Sequence, residues 1–256
     1  MIKQTKLFSF DKEKENIQKY SFSKIELFLQ CPLRYELHYI EGKPHKIQNL
    51  FYLNVGRNVH EALKIFFSTD LEKRSIDYLM NILEEKWNSR KFKNELESKE
   101  WLKESKAMLF KFFREEELKI KPTLLEASFK VLLKNSLIIG KIDRVDKIGN
   151  NKYEIIDYKI GDKEAKISIE ELRKEYQWIF YWLGLEKYYH IKPNKISYYF
   201  LASGRRFEFS PAEEEVENNI SKLNNLIFEI CNTNKFMPKP NRECMSCLFK
   251  SRYCPI

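Results

Sequence analysis

Three short runs rich in β-branched residues follow one another at 124–133, 136–146 and 152–159. Lys134-Asn135 and Gly149-Asn150-Asn151 punctuate them as turns, so they read as neighbouring strands. The apolar spacing before them is helical. Ser23-Lys24-Ile25-Glu26 has the form of a capping box opening a first helix. That helix breaks near Cys31, because Pro32 pushes its predecessor out of the α region and itself suits the first turn of a second piece over 33–40. Residues 56–67, 71–89 and 95–119 carry further helical spacing. After the strands, Ser168-Ile169-Glu170-Glu171 opens a helix expected to reach about Tyr189. Strands follow at 195–202 and 205–210 around Gly204, then a helix over 212–232. The expectation is one α/β domain over 1–256 with about five strands. Its parts are a mainly helical 21–120, an α/β core over 121–210, and a tail over 211–256.

Composition narrows the function classes. None of the 7 glycines composes G-x-G-x-x-G or G-x-x-x-x-G-K-[ST], which argues against a dinucleotide fold or a P-loop ATPase. Apolar runs fall short of the roughly 18 residues of a membrane span. The start, MIKQTKLFSFDKEKENIQKY, lacks the apolar stretch of a leader. A cytoplasmic protein without membrane association is therefore expected. The 46 Lys+Arg against 37 Asp+Glu give a net charge of +9, and 14 Tyr and 19 Phe accompany it. That combination suits a phosphate-bearing partner with unstacked bases, although Lys/Glu/Ile-rich usage alone produces a similar composition.

The chemistry concentrates in Gly140-Lys141-Ile142-Asp143-Arg144-Val145-Asp146 and Ile155-Ile156-Asp157-Tyr158-Lys159. Side chains alternate along a strand, so Asp157 and Lys159 point one way while Ile156 and Tyr158 point into the core. Across a hairpin at Gly149, Asp143 falls beside Asp157. Two close carboxylates repel unless a cation sits between them, and oxygen ligands of this kind are what Mg²⁺ or Mn²⁺ takes. Lys159 beside them suits a role in placing the attacking water and stabilising charge on a phosphate. An exposed hairpin with charges on its wet face would show the same strand pattern. His60 has Leu63 and Phe67 at i+3 and i+7, so it faces inward, as a core residue or a ligand. Glu126 is a charge in the apolar run Leu124-Leu125-Glu126-Ala127-Ser128-Phe129. Gln177 and Tyr181 share one helix face.

In order along the chain, His60, Glu126, Gly140-x-x-Asp143-Arg144-x-Asp146, Asp157-Tyr158-Lys159 and Gln177-x-x-x-Tyr181 resemble the RecB-like branch of the PD-(D/E)xK nuclease superfamily. The segment from Ser21-Phe22-Ser23 through Gln30-Cys31-Pro32-Leu33-Arg34-Tyr35 resembles that branch's amino-terminal part, so the likeness spans 21–254. Ile160 stands where threonine is frequent, while Gly161 keeps its place. The resemblance implies a restriction-endonuclease-like core, a mixed sheet flanked by helices, with a helical amino-terminal insertion and a cysteine-rich tail. It implies His60, Asp143 and Asp157 as ligands of Mg²⁺ or Mn²⁺ and Lys159 as the catalytic lysine. Glu126, Gln177 and Tyr181 complete the site, the last two holding DNA and the site geometry. The implied activity is hydrolysis of single-stranded DNA or DNA ends, as an exonuclease working beside a helicase. The other readings are a nuclease trimming DNA for CRISPR adaptation proteins, and an inactive DNA-binding partner of a helicase.

The 5 cysteines are too few and too odd in number for a disulfide framework in a chain without a leader. Cys244-x2-Cys247-x6-Cys254 supplies three thiolates, and a fourth must come from elsewhere. Cys31 sits at the predicted bend beside Pro32, whereas Cys231 lies in a helical run and reads as a buried free thiol. Four thiolates suit structural Zn²⁺ or a 4Fe–4S cluster, and spacing alone leaves both open. The split layout, one cysteine before the core and three after it, matches the iron–sulfur members of the resembling branch and implies the cluster on Cys31, Cys244, Cys247 and Cys254. A zinc-binding module without nuclease activity would leave the acidic core unexplained.

Overall fold

The computed structural model describes residues 17–44, 50–116, 118–161 and 167–256. The first sixteen residues of the charged amino-terminal segment read above lie outside the described residues. A two-residue strand, β1 (Lys19–Tyr20), leads into α1 (Phe22–Gln30). The cap of α1 is Ser21, not Ser23: its Oγ accepts from Lys24 N at 3.4 Å. Starting the helix at Phe22 sets that ring edge-on to Phe180, at 6.4 Å. Cys31 is extended (φ −162°, ψ 108°) between α1 and the short α2 (Pro32–Tyr35), which widens into a π-helical turn, Glu36–Ile40. Proline thus breaks the chain where its restriction of the preceding residue requires.

Three longer helices follow: α3 (Leu50–Ser68), α4 (Ile76–Lys86) and α5 (Glu95–Glu115). Ser75 and Asn94 cap the last two by accepting from Tyr78 N and Glu97 N. The stripe Val55, Val59, Leu63 and Phe66 of α3 packs with Leu79, Leu83, Leu109 and Phe112 against one sheet face. The sheet has six strands rather than five. β2 (Leu124–Leu133), β3 (Ser136–Gly149) and β4 (Lys152–Lys159) form the antiparallel series legible in the sequence. β5 (Lys195–Phe200) runs parallel to β4, and β6 (Arg205–Phe209) antiparallel to β5. The unforeseen strand is β1, parallel to the start of β3. Two residues are too few to leave a periodic signal.

On the opposite face α1, α6 (Ile169–Lys174), α7 (Gln177–Leu183) and α8 (Glu213–Asn232) close a second core with Ile142, Ile155 and Tyr198. The Ser168 capping box is present. The single helix expected to Tyr189 instead breaks at Glu175 (ψ 142°). Beyond the break every residue of α7 is buried, which a straight amphipathic continuation of α6 would not allow. No helix among the described residues is long and apolar enough to cross a membrane.

One ring explains two glycines. A Cβ on Gly140 would meet Phe129 at 2.5 Å, and one on Gly184 would meet the same ring at 2.5 Å. Phe129 is 2% exposed, so it has nowhere to go. Gly140→Ala and Gly184→Ala are each expected to lower stability by about 1–3 kcal/mol through overpacking, read from urea denaturation midpoints. A midpoint unchanged in both would show that the ring has space the fold does not display.

Candidate active site

The sheet changes phase at one rung. Along β2, Ala127, Phe129 and Val131 face the α7 side while Leu125 faces the α3 side. On β3, Ile142 and Val145 face the α7 side, and the Arg144 guanidinium lies 3.9 Å from the Phe67 ring on the other. Strict alternation fails at Glu126 and Asp143, which stand between the paired rungs Leu125↔Arg144 and Ala127↔Ile142. Glu126 has φ 46°, in the left-handed region where non-glycine residues are strained. Both carboxylates meet His60 of α3: His60 Nδ1 lies 3.4 Å from Glu126 Oε1 and 3.3 Å from Asp143 Oδ1. Ligand atoms of these three side chains all lie within 4.8 Å of one another.

Asp157 and Lys159 arrive from β4 on one face, as alternation requires. Asp157 Oδ1 accepts from Tyr181 Oη at 2.6 Å and Gln177 Nε2 at 3.2 Å. Lys159 Nζ lies 2.8 Å from Asp157 Oδ2 and donates to Gln177 Oε1 at 2.5 Å. The two groups join at the backbone, where Tyr158 N donates to Asp143 Oδ2 at 2.9 Å. There the Asp143 side chain takes the place of a ladder carbonyl. His60, Glu126, Asp143, Asp157, Lys159, Gln177 and Tyr181 are thus brought into one continuous cluster. His60, Glu126, Asp143 and Lys159 line a cavity of about 910 Å³, and the cations Arg57, Lys86 and Lys141 line it with them.

Electrostatics shows what the cluster lacks. Burial opposes a charged imidazole, yet Asp143 and Glu126 outweigh it and hold the His60 pKa up at about 10. Burial pushes the Asp143 carboxyl up; His60 counters this and Asp157 adds repulsion. Burial also works against the Lys159 ammonium, but Asp157 reverses the sign and raises it. Burial would raise Glu126, and its bonds to His60 and Lys141 lower it instead. Asp157 Oδ2 is buried and pairs with the Lys159 ammonium, 2.8 Å away. One imidazole and the carboxylate oxygens of Glu126 and Asp143 are a donor set that fits a hard divalent cation.

Sequence reasoning missed two contributors. Lys141, two residues before Asp143, forms an ion pair with Glu126; the same alternation that placed Asp157 with Lys159 would have flagged it. Behind the site, buried Arg144 donates to Asp146 Oδ1 at 2.9 Å and to Tyr158 Oη at 3.1 Å, and lies 3.3 Å from Glu116. Glu116, just past α5, carries no local signal.

A second cavity, about 280 Å³, lies at the far end of the chain path and is lined by Cys31, Cys244, Cys247 and Cys254. Cys231 is not among its walls. It is exposed rather than buried, because its helix turns it outward, with Sγ 3.2 Å from Tyr20 Oη.

A family model described as the PD-(D/E)XK nuclease superfamily matches residues 19–255. The chain belongs to that superfamily. Its members use divalent metals, in keeping with the donor set around His60. One subunit of the ATP-dependent helicase/deoxyribonuclease of Clostridium botulinum (strain Loch Maree / Type A3) is 32% identical over 187 residues, 59% of this chain. Its counterpart in the Langeland strain is 31% identical over 187 residues. In both, the alignment spans 16% of the relative, so this nuclease corresponds to a small part of those longer proteins. A crystal structure of a candidate exonuclease from Eubacterium rectale superposes with a TM-score of 0.56 at 12% identity, covering 99% of this chain and 95% of that one. At that identity the likeness is one of fold.

Proposed function

We propose that this chain is a metal-dependent DNA exonuclease that hydrolyses phosphodiester bonds in single-stranded DNA or at DNA ends. The observation that carries the reading is the junction of His60, Glu126 and Asp143 with Asp157 and Lys159 across the Tyr158 amide. His60, Asp143 and Asp157 are the ligands implied by the resemblance, and the phase change adds Glu126 to them. A Mg²⁺ or Mn²⁺ ion there would supply Lewis acidity toward the phosphate and a nucleophile at neutral pH. Gln177 and Tyr181 fix the Asp157 carboxylate by donating to Oδ1, and Lys159 pairs with Oδ2, so the side chain is held in one orientation toward the ion. Lys159, held by Asp157 and Gln177, presents its ammonium to the phosphate and the attacking water. Lys141 at the cavity mouth is placed to draw the strand in. The test is cleavage of end-labelled single-stranded DNA with and without Mn²⁺, repeated on covalently closed duplex. Cleavage confined to single strands and ends, weakening steeply with salt, is expected; equal cutting of closed duplex would overturn the substrate assignment.

The partner reading follows the relatives. The helicase/deoxyribonuclease likeness supports a helicase-associated nuclease over one serving CRISPR adaptation proteins, and the presence of Asp143, Asp157 and Lys159 argues against an inactive DNA-binding fold. We further assign a 4Fe–4S cluster to Cys31, Cys244, Cys247 and Cys254. What supports the assignment is the split layout of the resemblance together with the single cavity that these four cysteines line. Cys31→Ala is expected to remove most of the iron and sulfide from anaerobically purified protein and to lower its melting temperature, because ligation closes a loop over nearly the whole chain. Cys231→Ala is expected to do neither. Stoichiometric zinc without iron would replace the cluster with a metal ion.

A further inference from the structure

The segment Pro238-Lys239-Pro240-Asn241 lies along the four-thiol cavity, and its alternation has a chemical consequence. Proline has no N–H, so within these four residues amides are available at Lys239 and Asn241. Both are aimed at sulfur: Lys239 N lies 3.5 Å from Cys31 Sγ, and Asn241 N lies 3.3 Å from Cys244 Sγ. The same residues grip the end of α1, whose last carbonyls have no helical partner. Lys239 Nζ donates to Leu29 O at 2.9 Å, and Asn241 Nδ2 donates to Gln30 O at 2.7 Å. Asn241 Nδ2 also donates to Lys239 O at 3.0 Å, and its Oδ1 accepts from Glu243 N at 2.8 Å. Upstream, Leu33 N donates to Met237 O at 3.3 Å. One strap therefore connects both flanks of Cys31 to the turn that carries Cys244.

We propose that this strap is the organising element of the thiolate site, with Asn241 as its positioning residue; the inference rests on the four-thiol reading above. Four thiols converge on one cavity, and binding of a cation or cluster takes their protons and gathers negative charge on the sulfurs. Two amide dipoles directed at sulfur offset part of that charge, and outer hydrogen bonds of this kind orient ligands and tune their metal. The flanking prolines stiffen the strap, so the amides are held in place before the metal arrives. Asn241 locks the arrangement by bonding to both sides of the junction. Cys31 lies 210 residues before Asn241, so local chain geometry cannot do this work.

The test measures retention of the bound group rather than nuclease activity. Protein is reconstituted anaerobically with iron and sulfide, or separately with Zn²⁺ alone, and release to a chelator is followed by absorbance and metal analysis. Asn241→Ala is expected to release metal about 10–100-fold faster than wild type, the usual scale for outer-shell partners. Asn241→Asp keeps the acceptor for Glu243 N but loses the donor to Gln30, and is expected to follow Asn241→Ala. Lys239→Pro deletes the amide aimed at Cys31 and is compared with Lys239→Ala, which keeps it. Faster release from the proline variant isolates the N–H. Asn232→Ala, whose side chain bonds within its own helix at Phe228 O, is the control and should match wild type. Release at the wild-type rate from Asn241→Ala, with Lys239→Pro equal to Lys239→Ala, would overturn the strap. Wild-type protein that takes up neither metal would overturn the thiolate site itself, and the strap with it.

Discussion

Asp157→Asn is expected to lower the proposed metal-dependent DNA cleavage by at least about 10²–10³ in kcat, the scale on which a single electrostatic contributor is felt in a dry site. The substitution is chosen for what it leaves in place. Asp157 Oδ1 is the acceptor for both Tyr181 and Gln177, and an asparagine oxygen continues that role. The charge toward Lys159 and the cation is what disappears. A melting temperature close to wild type with cleavage lost separates chemistry from folding. Asp157→Ala makes a harsher pair with it. It takes the acceptor from the buried Tyr181 O–H, whose oxygen still accepts from Gln177 Nε2 at 2.7 Å, so it should lose activity and up to about 1–3 kcal/mol of stability for a buried donor without its acceptor. Cleavage by Asp157→Asn at the wild-type rate would remove Asp157 from the reaction.

The largest expected stability effect belongs to a residue that does not face the cavity. Arg144 is 0% exposed and holds Asp146 through two nitrogens, at 2.9 and 2.5 Å. It also reaches Glu116 and Tyr158, and stacks on Phe67. Glu116 keeps a second cation, Arg206 at 3.0 Å, if Arg144 is lost. For Asp146, buried at 1% exposure, Arg144 is the ion-pair partner within 4 Å among the described residues, with Arg74 a more distant charge. Arg144→Met is therefore expected to cost about 3–5 kcal/mol, the penalty for breaking a buried pair from one side. For a chain of this size that corresponds to a fall of roughly 6–20 °C in melting temperature. Adding Asp146→Asn should recover part of the loss, because the stranded charge goes with it. A loss below about 1 kcal/mol would fall in the range of an exposed ion pair and show that the network does not hold the core.

These two residues also mark what could be read before the structure. Asp157 with Lys159, and Ile156 with Tyr158, followed from the two-residue period of a strand, and β4 obeys it. Ser168 and Pro32 acted through rules that need a few neighbouring residues, and both elements start where those rules place them. The misses at the α1 cap and in the 168–189 helix share a cause: each depends on contacts between distant segments. Ser21 displaces Ser23 as a cap because Phe22 finds Phe180 across the core. The helix expected over 168–189 breaks because α7 must be buried on all sides. Glu126 was legible as a charge out of place in an apolar run. Its union with His60 and Asp143 came from the family resemblance and not from periodicity, which assumes an unbroken backbone phase where here the phase resets.

That reset sets stability against use. A glutamate at φ 46° carries a backbone cost of the order of 1–3 kcal/mol, and glycine would relieve it. Glu126→Gly would also take the partner carboxylate from His60 and Lys141. Glu126→Ala removes the same carboxylate and keeps the strain, so the glycine variant should show the higher denaturation midpoint of the two, and the difference reads the backbone cost alone. Position 126 thus gives up backbone comfort to place a carboxylate in the cation's surroundings, a conformation that selection for robustness alone would not retain.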